Sequence, residues 1–107
     1  MNYYKYITLK YLIGFLMATL EENRSTSSEL DALLYNFYDL YGNKGLNTLQ
    51  QHLNLLELFN EDDLKTTLTH PNLLITIDDP IKEVAWILTM KKLKFDFVCN
   101  LLKNKIK

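Results

Sequence analysis

At 107 residues, with 48% hydrophobic residues, three glycines and two prolines, the chain is long enough for one domain, 1–107, and too short for two. A chain of this size buries roughly 65% of its unfolded surface, enough for a core that needs no metal or disulfide. The single Cys99 cannot form an internal bridge, so a reducing, cytoplasmic setting is expected, and a net charge of −1 argues against a protein held to nucleic acid by bulk charge.

The apolar pattern reads helical almost throughout. With Asn2 as a candidate N-cap, a first helix is expected over Tyr3 to Glu22, with Leu9, Leu12, Ile13, Leu16 and Leu20 on one face and more apolar residues on the others. That pattern predicts the most buried helix of the fold. The uncharged run from Tyr11 to Leu20 is about half of what a membrane-spanning helix needs, and Lys10 and Glu21 bound it. A signal peptide also fits poorly, because two acidic residues follow the run and no small-x-small cleavage site precedes them.

Residues 23–28 form a polar connector, in which Thr26 with Glu29, or Ser28 with Asp31, can make a capping box. Leu30, Leu33, Leu34, Phe37 and Tyr41 then follow at helical spacing, and Gly42 stands where a left-handed C-terminal residue is wanted. A third stripe comprises Leu46, Leu49, Leu53 and Leu56, with Phe59 as its candidate last member. Asn60 can cap a short fourth helix whose first turn holds Glu61, Asp62 and Asp63, where the backbone dipole favours negative charge. His70-Pro71 stops that helix, and 73–77 reads as either a short extended segment or another helical turn. Asp79-Pro80 restarts the helical pattern as N-cap and first residue. Ile81, Val84, Ala85 and Leu88 make the next stripe, which Phe95, Val98, Leu102 and Ile106 extend, and Lys91, Lys92 and Lys94 mark a break between them. The expectation is an all-α, compact single-domain bundle of about five to seven helices.

Catalytic signatures are missing: there is no glycine-rich phosphate loop, nucleophile elbow or His-Glu-x-x-His. His52, His70 and one cysteine do not make a metal-ligand pattern, so no enzyme activity, cofactor or metal is expected. His52 reads as part of a polar helix face, His70 as a helix-end residue and Cys99 as a small buried hydrophobe.

Three features remain. Residues 51–85 carry two basic and seven acidic groups, and residues 86–107 carry six basic and one acidic, giving an acidic middle and a basic tail. Clustered acids can speed encounter with a basic partner, and they can equally be a solvated face or neutralise a neighbouring segment. All seven tyrosines lie in the first 41 residues; Tyr35 and Asp39 sit together opposite the core stripe of their helix and Tyr38 at its border, where a tyrosine can anchor a partner or simply pack at the core's edge. The lysine tail lacks the arginines of a base reader, since the chain's one arginine is Arg24, so nucleic acid is an unlikely partner.

Asn, Lys, Ile, Tyr and Phe total 40 residues against 9 for Gly, Ala, Arg and Pro, the mark of an AT-rich gene. In size, this codon character, absence of enzyme motifs and acidic segment, the chain resembles the small immunity proteins of bacterial contact-dependent growth inhibition and related polymorphic toxin systems. The likeness is one of overall character and rests on no residue motif. It implies stoichiometric binding and neutralisation of a cognate toxin C-terminal domain, a basic, cytoplasm-acting nuclease. The residues expected to steer or contact it are Glu61, Asp62, Asp63, Asp78, Asp79 and Glu83, with Tyr35, Tyr38 and Asp39 as anchors. Other readings are a small helical regulator, an antitoxin or phage protein, that binds nucleic acid or another protein, and a homodimer subunit with surplus apolar surface on its first or last helix. On the immunity reading the chain itself is a monomer or weak dimer.

Overall fold

The computed structural model describes residues 3–19, 27–58 and 79–105, and all regular structure among them is helical. The helices are α1 (Tyr3–Ala18), α2 (Ser27–Leu56), α3 (Pro80–Met90) and α4 (Phe95–Leu102). The all-α class is therefore as expected, and the described residues hold four such elements where five to seven helices are expected of the whole chain. The second and third expected helices are the two arms of α2, which meet in a kink at Gly42, where the backbone is not helical. The fourth helix expected after Asn60 and the segment 73–77 lie outside the described residues.

Helix α2 is the element against which the others assemble. Both α1 and α3 pack on it and on each other, and α4 packs on α2. Its first arm delivers Leu30, Leu33, Leu34 and Phe37 to the core and its second arm Leu46, Leu49 and Leu53, all under a tenth exposed. These meet Leu9, Leu12, Ile13 and Leu16 of α1, Val84, Ala85, Ile87 and Leu88 of α3, and Val98 and Leu102 of α4. The resulting radius of gyration, 13.3 Å, is that of a well-packed chain of this length.

The kink has a backbone cause. Gly42 has φ 62° and ψ −155°, a conformation open to glycine alone. The positive φ and the end of the first helical arm agree with the expectation at this position, but the ψ differs from that of a left-handed helical cap, and a second helical arm leaves in a new direction. Gly45, one turn on, is buried because the second arm folds back over the first: a Cβ there would collide with Cβ of Tyr41.

Asp79 and Pro80 start α3 as expected, the Asp79 carboxylate accepting a hydrogen bond from the Ile81 N–H at 3.0 Å. The break among the lysines is a Schellman turn. Lys92 takes φ 60°, its N–H donates to the Thr89 carbonyl at 3.0 Å, and the Leu93 N–H donates to the Leu88 carbonyl at 2.8 Å. Leu93 packs back on the core, which supplies the apolar contact that such a turn uses.

Candidate interaction surfaces

Five of the nine residues expected at a partner surface are described, Tyr35, Tyr38, Asp39, Asp79 and Glu83; Glu61, Asp62, Asp63 and Asp78 lie outside the described residues. The five do not form one patch, and each makes contacts within the chain.

Asp39, on the middle of α2, pairs with Lys105 at 3.0 Å and Lys5 at 3.3 Å, tying the chain beyond α4 and the start of α1 to one carboxylate. Lys105 beside it holds the Asp39 carboxyl below the ordinary carboxylate value; partial burial opposes this, and Lys5 adds to it. The same Lys105 ammonium sits 4.9 Å from the centre of the Tyr35 ring, a cation–π arrangement, while the Tyr35 hydroxyl donates to the Leu101 carbonyl at 3.4 Å. The face of α2 bearing Tyr35 and Asp39 is thus the seat of the C-terminal segment. Tyr38 spans the kink, its hydroxyl donating to Oδ1 of Asn43 at 3.1 Å.

Asp79 caps α3, and Glu83 one turn later accepts from Lys10 of α1 at 2.8 Å. Tyr41 has the charges of Asp79, Glu83 and Lys10 in its surroundings, and burial is the main cause of its raised phenol pKa. In the described ion pairs the lysines come from α1 and from beyond α4, and the acids from α2 and α3. None of these pairs joins the acidic middle to the basic tail: Glu83 of the middle is held by Lys10, and Lys105 of the tail by Asp39, both partners lying in the first half of the chain. Cys99 is half-buried and its thiol is pushed up by burial and by Asp96, so it is protonated at neutral pH. Among the described residues no cluster of three His, Cys, Asp or Glu could hold a metal ion, and no helix is long and apolar enough to cross a membrane.

Four of the seven large hydrophobic residues that are exposed among the described residues lie together on α1, away from every expected site residue. Apart from Lys5, Thr8 and Lys10, helix α1 is apolar and is expected to be the most buried helix; among the described residues one of its faces enters the core and the opposite face is exposed. Its neighbours α2 and α3 receive Leu9, Leu12, Ile13 and Leu16. On the opposite face Tyr3, Tyr4, Ile7 and Tyr11 are 70, 82, 47 and 71% exposed, and Gly14 and Ala18 continue the stripe toward the helix end. These positions fall within an arc of about 100° at 3.6 residues per turn. The arc carries no charge. Lys10, at one edge of the arc, reaches Glu83, Lys5 pairs with Asp39 on the opposite side of the helix, and the hydroxyl of Thr8, beyond the other edge, donates to the Tyr4 carbonyl at 2.8 Å. The signal for this face was present in the seven early tyrosines, four of them on α1, but periodicity alone does not say which of two apolar faces a core will take.

No known protein family, curated protein or solved structure matches this chain.

Proposed function

We propose that this protein acts by presenting a surface to another protein, and that it is an immunity protein which neutralises a cognate toxin C-terminal domain by stoichiometric binding. The observation that carries the reading is the uncovered tyrosine face of α1. Contiguous exposed apolar surface on a small domain marks an interaction site. Tyrosine is the residue that most favours one, since it covers much area for few rotatable bonds and keeps a hydroxyl for a partner. Asp39, Asp79 and Glu83 are engaged inside the fold, so the anchoring part of the surface is better placed on Tyr4, Ile7 and Tyr11, with the remaining acids, Glu61, Asp62, Asp63 and Asp78, kept as steering charges toward a basic toxin.

The test is co-purification of the tagged full chain from its native cells at moderate salt, with the partner identified by mass, followed by co-expression of that partner. The expected partner is a toxin domain that arrests growth when expressed alone and is silenced by the wild-type chain. Tyr11→Arg, in which only an exposed side chain changes, should weaken the complex about a hundredfold, in the range of a central aromatic anchor. A captured partner that is harmless alone, or a toxin neutralised equally well by folded Tyr11→Arg and Tyr4→Arg variants, would refute the assignment.

A further inference from the structure

We infer that in the free protein the α1 face is occupied by a second copy of the same chain, two α1 helices crossing antiparallel about a twofold axis near Tyr11. The inference rests on the reading of this face as a protein-binding surface and goes beyond it by naming the resting occupant.

The first argument is shape. Along the face the bulky residues Tyr4, Ile7 and Tyr11 occupy the N-terminal part, and Gly14 and Ala18 the C-terminal part, where a Cβ added at Gly14 would meet open space. A parallel pair would set tyrosine against tyrosine at one end and leave a gap at the other. An antiparallel pair with Tyr11 on the axis brings Tyr4 of each copy over Ala18 of the other, and Ile7 over the Gly14–Phe15 turn. Tyr4 then fills the space left by Ala18, Ile7 lies beside the gap at Gly14, and the two Tyr11 rings meet at the axis, the self-pairing that a twofold interface requires.

The second argument is charge. A surface that meets its own copy meets its own charges, and like charges brought together oppose association. This face has none: Lys5 stands on the opposite side of α1, paired with Asp39, and Lys10, at the edge of the arc, is held by Glu83. The third is area. At about 200 Å² per tyrosine, the exposed fractions on this face correspond to roughly 550 Å² per copy with Ile7 and the small residues included. The pair would cover about 1,100 Å², at the low end of specific interfaces and in keeping with a dimer that exchanges. Toxin and second copy would then compete, and the dimer would act as a reserve whose dissociation limits capture at high protein concentration.

Sedimentation equilibrium of the full chain alone, over concentrations of about 1–300 µM, tests this without any toxin. The expected result is a mass rising from 12.6 kDa toward twice that value, and Tyr11→Arg held at 12.6 kDa throughout with an unchanged circular dichroism spectrum. Register is read by oxidative cross-linking in a Cys99→Ser background: Tyr11→Cys should link to itself, while Ala18→Cys should link to Tyr4→Cys and not to itself. A monomer at every concentration, a dimer indifferent to both Tyr11→Arg and Ile7→Glu, or self-linking of Ala18→Cys in place of Tyr11→Cys would overturn the inference. A monomeric chain that still silences a toxin through Tyr11 would overturn the dimer and leave the functional reading intact; a dimer with no toxin partner would do the reverse.

Discussion

Asp39 joins three parts of the chain with one carboxylate, yet its geometry argues for a modest contribution. The side chains of Asp39, Lys5 and Lys105 are each about a third exposed or more, so water and salt screen the pairs. Asp39→Asn is expected to cost about 0.5–1 kcal/mol at neutral pH, and less in molar salt. Because the fold lowers this carboxyl's pKa, its stabilising effect is complete above the unfolded value of about 4 and fades as the pH falls through the folded one. Urea midpoints of wild type and variant should therefore differ at neutral pH and converge in acid; a gap that widens on acidification would contradict the assignment. Lys92 offers the opposite case, a residue whose replacement should help. It holds φ 60° at the Schellman turn after α3, where a side chain is strained and glycine is not. Lys92→Gly should raise stability by about 0.5–1 kcal/mol, visible as a higher urea midpoint at unchanged slope.

At the scale of the helical elements, the kink in α2 decides whether one helix can supply two walls of the core. Two glycines hold it for different reasons. Gly42 is required for its backbone, and a Cβ there would have open space, so the cost of Gly42→Ala is conformational, about 2 kcal/mol. Asparagine, which relieves many positive-φ sites, should not rescue it, because ψ −155° is outside the left-handed helical region that asparagine tolerates. Gly45 is required for space. Its obstacle is the Cβ of Tyr41, which is fixed to the backbone and cannot rotate away, so Gly45→Ala should cost at least about 2 kcal/mol and loosen the Phe37–Tyr41 ring contact at 5.2 Å. Thermal melts of the three variants would check this, and a neutral Gly45→Ala would mean that the two arms of α2 lie farther apart. The stripes on either side of Gly42 were legible in the sequence, as were the Asp79-Pro80 start and the break among the lysines, since each depends on local chemistry. The closeness of Gly45 to Tyr41 was not, because it follows from the ψ that Gly42 adopts and no nearby residue encodes that angle.

In the whole molecule, what could be read and what could not divide by the range of the forces involved. Helical spacing showed which side chains could face a core. It could not show on which side α1 would meet the other described helices, so the surplus apolar surface expected on the first or last helix could not be assigned to Tyr4, Ile7 and Tyr11, while Tyr35 and Asp39, open to either anchoring or packing, took up the C-terminal segment. The same distribution of neighbours predicts how the fold opens. Among the described helices α2 contacts each of the others, whereas α4 has eight residues, no side-chain N-cap and its main contact with α2. A helix so short has almost no stability by itself and forms only while Val98 and Leu102 are held in the core. Native-state hydrogen exchange should therefore show α4 opening at a free energy well below the global value, with the α2 amides around Leu33, Leu34 and Leu49 exchanging only by full unfolding. Leu102→Ala should lower protection in α4 by about 2 kcal/mol or more while leaving the α1–α3 contacts formed, since neither helix leans on α4 for its burial. Loss of Asp39 should act on the same segment, because Lys105 lies just past it and is one of the few ties beyond the apolar pair. If α4 amides exchanged as slowly as those of α2, the molecule would be one cooperative unit and the C-terminal helix part of its core.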